Sequence, residues 1–359
     1  MTAVHGVRPL AAQAYGPLVA VGLSHRTAPV ALRERAALSE PAARALLTEL
    51  RSNPGVSAAA VLSTCNRTEL YAVAGRVGVD VEPLRAALAA HGRLGPEEFA
   101  EAGFAYTGPD ALGHLFRVAA GLDSLVVGET EIQHQVRRAA ALAAAEGTLG
   151  VLAEAFRDAV ATGRRVRRET GIGRGPVSTA SVCVELARRA LGGLNGRRAL
   201  VLGAGAMASS AARALDRNGT AGIVVANRTA TRARRLAADL GGRGTGLATL
   251  GPELVAADLV VACTGAPTPV LHRAAVARAV RLREGRPLVI VDLALPRDVD
   301  PAVASLDGVV LLDIDDLRLT AAANRADRAL EALRGEAIVA REVARCLARG
   351  AAAPLAAAA

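Results

Sequence analysis

The chain has 359 residues, 52% hydrophobic and 21% charged, a globular balance with length enough for two or three domains. Its formal charge is +9, yet all 43 basic residues are arginine, which excludes a Schiff-base lysine, a P-loop lysine and a Ser-Lys pair. Aromatic residues make up 2% with no tryptophan, so the core is aliphatic and little is left for stacking nucleobases.

The four cysteines (Cys65, Cys183, Cys263, Cys346) are scattered and form no C-x-x-C pair. Neither a disulfide framework nor a metal site is expected, and a reducing compartment follows. No stretch approaches the roughly 18 apolar residues of a membrane span, so the chain reads as cytoplasmic with no membrane partner.

Residues 1–17 carry no pattern and are read as a disordered extension. An apolar run from Leu18 to Leu23 ends in the polar turn Ser24-His25-Arg26-Thr27-Ala28-Pro29. Helical spacing follows Ser39, which can cap, with Pro41 in the first turn. Val56 to Leu62 leads through Ser63-Thr64-Cys65-Asn66-Arg67 into an alternating run ending at Val73, and a further helix fits Val81 to His91. Strand, helix, two strands and helix within about ninety residues predict a ferredoxin-like α+β sandwich.

Asp110 to Glu169 reads as a helical extension of that domain; Arg157, Arg164, Arg165, Arg167, Arg168 and Arg174 could meet nucleic-acid phosphates, but a solvated face is the expected reading. Gly171 to Pro176 is the predicted linker. Beyond it, Arg198 to Leu202, Gly222 to Ala226, Asp258 to Cys263, Pro287 to Leu293 and Val309 to Ile314 are apolar strands alternating with helices. They predict a doubly wound Rossmann sheet. A long helix is expected over 316–349 and a disordered Ala-rich tail over 350–359. The predicted domains are thus 18–175, 176–315 and the helix.

The turn Gly203-Ala204-Gly205-Ala206-Met207-Ala208 lies between a strand and a helix, with Ala208 in place of the third glycine of a dinucleotide fingerprint. Its glycines let the backbone approach a pyrophosphate, whose charge meets the helix N-terminus. Where an NAD enzyme carries an acid at the end of the second strand, this chain has Asn227, Arg228 and Thr229, a set suited to a 2′-phosphate. NADPH is the expected cofactor. Cys65 stands in a polar turn beside Arg67, which can stabilise a thiolate or hold a substrate carboxylate. A thiol together with NADPH is the chemistry that reduces an activated acyl group through a thioester.

The segments Gly22-Leu-Ser-His-Arg-Thr-Ala-Pro29, Ser63-Thr-Cys-Asn-Arg-Thr-Glu-Leu-Tyr71, Gly121-Leu-Asp-Ser-Leu-Val-Val-Gly-Glu129, Gly203-Ala-Gly-Ala-Met207, Asn227-Arg-Thr229 and Asp292-Leu-Ala-Leu-Pro-Arg-Asp298 together resemble the glutamyl-tRNA reductase family, in the family's order. The resemblance implies reduction of glutamyl-tRNA(Glu) to glutamate-1-semialdehyde, the first step of the C5 route to 5-aminolevulinate and tetrapyrroles, with Cys65 as nucleophile. It implies substrate contacts from Thr64, Asn66, Arg67, Ser124, Glu129, Thr130, Glu131 and Gln135, and a proton-handling role for His114. It also implies product transfer to glutamate-1-semialdehyde aminomutase. Thr130 and Glu131 depart from the family's G-E-P-Q, Glu131 placing a charge where an amide is usual. The family's helical dimerisation domain has no counterpart here, so a monomer or weak association is the expectation. A shikimate-dehydrogenase-like NADP oxidoreductase and a non-catalytic tRNA-binding homologue are the alternatives. The first needs a lysine that this chain lacks, and the second fits poorly with Cys65, His114 and an intact glycine turn.

Overall fold

The structure is a computed structural model that describes residues 18–75, 80–173, 178–323 and 329–356. The predicted extension 1–17 and residues 174–176 of the linker lie outside the described residues. The chain forms two compact units: one takes the N-terminal part together with the C-terminal helix, the other lies between residues 175 and 326.

In the first unit, β1 (Leu18–Ser24) is followed by α1 (Val30–Ala36), α2 (Glu40–Arg51), β2 (Val56–Ser63), β3 (Arg67–Ala74), α3 (Val81–His91), α4 (Pro96–Ala102) and β4 (Phe104–Thr107). The strands form one antiparallel sheet in the order β2-β3-β1-β4, the ferredoxin-like arrangement. β1 and β3 are central and covered on both faces, which is why Leu18 to Leu23 is apolar at every position except Gly22 rather than alternating. Ser39 caps α2 by accepting from the Ala42 amide at 3.4 Å, as its sequence position predicts. The sequence reading missed β4: four residues between two glycines are too short to show a period.

Helices α5 (Gly108–Ala120), α6 (Glu131–Ala145) and α7 (Leu152–Glu169) complete this unit, and the long C-terminal helix packs on α5 and α7. Ile338, Val339 and Cys346 of that helix join the same apolar core as Leu115, Phe116 and Phe156. Each such aliphatic or aromatic side chain removed from water contributes about 1.5–3 kcal/mol.

The second unit runs α8 (Thr179–Leu191), β5 (Arg198–Leu202), α9 (Ala206–Arg217), β6 (Gly222–Asn227), α10 (Ala230–Ala238), β7 (Arg243–Gly246), α11 (Leu250–Ala256), β8 (Leu259–Ala262), α12 (Arg273–Arg281), β9 (Leu288–Asp292), β10 (Val309–Leu312) and α13 (Ile314–Ala323). All ladders are parallel, in the order β10-β9-β8-β5-β6-β7, the doubly wound Rossmann order.

The structure corrects two boundaries. The helix expected over 316–349 is two helices, α13 in the second unit and α14 (Ala329–Ala356) in the first. The tail expected to be disordered from 350 is helical through Ala356, because alanine is the strongest helix former. No helix among the described residues is long and apolar enough to cross a membrane.

Candidate active site

The turn between β2 and β3 is closed locally. The Thr64 amide donates to Arg67 O at 2.8 Å, and the Asn66 amide to Thr64 Oγ1 at 3.1 Å. Arg33, which enters from α1, donates through Nη1 to Cys65 O at 2.8 Å and to Asn66 Oδ1 at 3.3 Å. Cys65 therefore sits at the tip of a turn clamped from behind by a buried guanidinium. Sequence reasoning missed Arg33, since nothing in a short helix signals which distant carbonyl an arginine will meet.

Burial pushes the Cys65 thiol up to about 11; Glu129 adds to this, while Arg33 and Arg67 pull it down. The sulfur is therefore held as a thiol rather than a standing thiolate at neutral pH.

Arg67, expected to stabilise a thiolate or hold a substrate carboxylate, draws the Cys65 thiol down as the least of the named influences and is itself paired with buried acids. Its guanidinium is 1% exposed, and it donates to Glu69 Oε1 at 2.7 Å, to Asp123 Oδ2 at 3.1 Å and to Asp123 O at 2.5 Å. The physical reason is its position as the first residue of the central strand β3, which aims it into the core, where an unpaired charge is not tolerated. Glu69 is the hub of this network. It also accepts from Tyr71 Oη at 2.5 Å and stands 3.1 Å from His114 Nε2. Burial opposes its ionisation, but His114, Arg67 and Tyr71 together hold its carboxyl down at about 2. His114 is enclosed by Tyr71, Phe104 and Tyr106 and, among the described groups, bonds Glu69 and not Cys65.

The other expected contacts divide. Ser124 is buried and its Oγ has no hydrogen-bond partner, an open polar atom in the core. Glu129 is buried, and its carbonyl accepts from Arg167 Nη1 at 2.8 Å. Thr130 is exposed at the start of α6. Glu131 and Gln135 line a cleft between α2, β2 and α6 together with Leu38, Arg44, Ser63 and Arg138; Cys65 is not among its lining residues.

In the second unit, every expected cofactor residue lies at the carboxyl end of the parallel sheet. Gly203 has φ +113°, and a Cβ there would stand 2.5 Å from Cys263 O, so only glycine lets the turns after β5 and β8 meet. Gly205 and Ala206 are exposed at the start of α9, Ala204 and Met207 are partly covered, and Ala208 is buried where the helix packs on the sheet. Asn227 Nδ2 donates to Thr229 O at 3.1 Å, folding the turn after β6. Arg228 is exposed beside it and forms no ion pair with a described residue. Sequence reasoning did not assign Asp298, which is buried and accepts from the Thr264 amide at 2.6 Å and from Thr264 Oγ1 at 2.5 Å. It fixes the turn after β8 against Gly203. A turn pinned at Gly203 and open at Gly205 to the first turn of α9, at the switch point of the sheet, fits a dinucleotide.

A family model for the N-terminal domain of glutamyl-tRNA(Glu) reductase matches residues 21–170, and one for shikimate/quinate 5-dehydrogenase matches residues 185–320. The glutamyl-tRNA reductase of Rubrobacter xylanophilus is 47% identical over 335 residues, covering 90% of this chain and 76% of its own. The chain belongs to the glutamyl-tRNA reductase family. The corresponding enzyme of Alcanivorax borkumensis is 45% identical over 84% of this chain and 72% of its own. A solved glutamyl-tRNA reductase from Methanopyrus kandleri is 39% identical over 91% of this chain and 79% of that one, with a TM-score of 0.49. Membership makes the chain an oxidoreductase of the first step of tetrapyrrole synthesis, with a nicotinamide-cofactor domain of the shikimate-dehydrogenase type. The shikimate-dehydrogenase alternative is thereby confined to that domain.

Proposed function

We propose that the protein reduces glutamyl-tRNA(Glu) to glutamate-1-semialdehyde with NADPH through a thioester on Cys65. The observation that carries this reading is the Cys65 turn: the thiol stands at the tip of a loop, its carbonyl held by Arg33. Cys65 Sγ attacks the ester carbonyl, the bond from that carbon to the terminal ribose oxygen breaks, and the thiol proton leaves with the tRNA hydroxyl. Bound at the Gly203–Ala208 turn, NADPH would supply a hydride. Addition of that hydride to the thioester carbon, with the carbon–sulfur bond breaking and one further proton passing to the sulfur, would free the aldehyde and restore the thiol.

The roles of the surrounding groups follow from what they touch. Arg33 and Asn66 hold the turn, Ser124 Oγ is open to a ligand, and Glu69 ties Arg67, Tyr71 and His114 into one rigid support. Arg228 selects the 2′-phosphate. Glutamyl-tRNA is the macromolecular partner, and the hand-over of the aldehyde to an aminomutase is part of the same reading.

The test is mass spectrometry of the Cys65 peptide after mixing with glutamyl-tRNA in the absence of NADPH. A glutamyl adduct is expected on Cys65. An unmodified peptide in a mixture where the enzyme has deacylated its tRNA would rule the thioester out.

A further inference from the structure

The path of a dinucleotide across the second unit follows from strand order, in which β8, β5 and β6 are neighbours. A 2′-phosphate at Arg228, after β6, and a pyrophosphate at the Gly203–Ala208 turn, after β5, leave the nicotinamide half to the turn after β8. That turn is Thr264-Gly265-Ala266. Gly203 lies against it, since a Cβ there would stand 2.5 Å from Cys263 O and 3.3 Å from Thr264 Cα. Gly265 is exposed with φ +94°, and a Cβ on it would meet nothing within 4 Å, so the space over the turn is open. Among the described residues, neither Thr264 O nor the Gly265 amide has a hydrogen-bond partner.

What holds this open peptide in place is Asp298. Both of its carboxylate oxygens are committed to Thr264, one to the amide and one to Oγ1, and Thr264 Oγ1 in turn accepts from the Ala266 amide at 3.1 Å. At the far end of the same loop, Asp298 O accepts from the Val270 and Leu271 amides at 2.7 and 2.9 Å. Asp298 is itself seated by Asp292 at the end of β9, whose carboxylate accepts from the Ala294 and Val299 amides at 3.0 and 2.9 Å. Burial raises the Asp298 carboxyl, and the two Thr264 donors draw it down. A buried carboxylate whose partners are all neutral depends on those few donors, so its hold on Thr264 is firm. The effect of the residue is thereby confined to the turn after β8.

We propose that Asp298 is a positioning residue for the nicotinamide: through Thr264 it holds the Thr264–Gly265 peptide where the carboxamide of the ring hydrogen-bonds to it. The inference rests on the NADPH reading above and adds the residues that hold the reacting end of the cofactor. A carboxamide offers a donor and an acceptor, so either side of an open peptide group suits it. Asp298 touches neither the ring nor the hydride and acts only through the turn. Its loss therefore loosens the nicotinamide half and spares the adenosine half, which is held at β5 and β6.

Calorimetric titration of the full chain with NADPH and with 2′-phospho-ADP-ribose, which lacks the nicotinamide, tests this. For Asp298→Asn, whose amide cannot accept from both Thr264 donors, NADPH should bind about three- to tenfold more weakly, the loss of one hydrogen bond. Binding of 2′-phospho-ADP-ribose should stay as in the wild type. Thr264→Val, which keeps the shape without the hydroxyl, should give the same split and serves should the asparagine variant fail to fold. Thr264→Ser, which keeps the hydroxyl, should bind both ligands as the wild type does. Equal weakening of the two ligands, or undiminished NADPH binding in whichever variant folds, would overturn the proposal. A wild-type protein that binds neither ligand would instead strike the NADPH reading itself.

Discussion

Glu69→Gln removes the charge at the centre of the buried network while keeping its shape. In the native protein Glu69 ionises near 2 instead of the ordinary 4.5 because His114, Arg67 and Tyr71 overcome the cost of burying it. That difference, about 2.5 pH units at about 1.4 kcal/mol each, corresponds to about 3–4 kcal/mol of stability at neutral pH. Removing one partner of a buried ion pair costs about 3–5 kcal/mol, which agrees. For a unit of this size 1 kcal/mol moves the midpoint by about 2–4 °C, so the variant should melt about 6–16 °C lower. The folded-state value is depressed, so this contribution is complete above pH 4.5 and is lost as the pH falls towards 2. The variant should therefore lack that part of the wild type's acid destabilisation. The assay is tyrosine fluorescence. The chain has no tryptophan, and its tyrosines (Tyr15, Tyr71, Tyr106) all precede the second unit, so the signal reports the first unit alone. A midpoint within about 2 °C of wild type at pH 7 would refute the claim that Glu69 is the hub.

Two further outcomes follow from the site. Alkylation of Cys65 by iodoacetamide should accelerate about tenfold per pH unit from 7 to 10, because burial holds the thiol near 11; a rate that levels off below pH 9 would show a thiol of ordinary acidity. Arg228→Ala should weaken NADPH about ten- to a hundredfold and leave NADH nearly unchanged, measured by quenching or enhancement of nicotinamide fluorescence. Equal weakening of both cofactors would make Arg228 structural.

What the sequence determined by itself is the part of the molecule built from local pattern. The ferredoxin-like sheet was legible in the spacing of apolar runs, and the Rossmann sheet in strands that are apolar throughout because both faces are covered. The Gly203–Ala208 turn was legible because its chemistry resides in consecutive backbone atoms. Strands β4 and β7 were not: Arg243-Gly244-Thr245-Gly246 has almost no strand propensity and exists because β6 offers it a ladder.

The site divides along the same line. Cys65 stood out through its polar turn, but Arg33, Glu69, Asp123 and Asp298 acquire their roles from partners far along the chain. Tertiary structure alone decided that Arg67 is spent on Glu69 and Asp123 and that Asp298 holds Thr264. The physical reason is that a charged side chain takes the strongest partner folding brings within reach, and burial makes that choice costly to undo. The order of residues specifies which groups are present; which of them remain open to a substrate is settled only when the core closes around the rest.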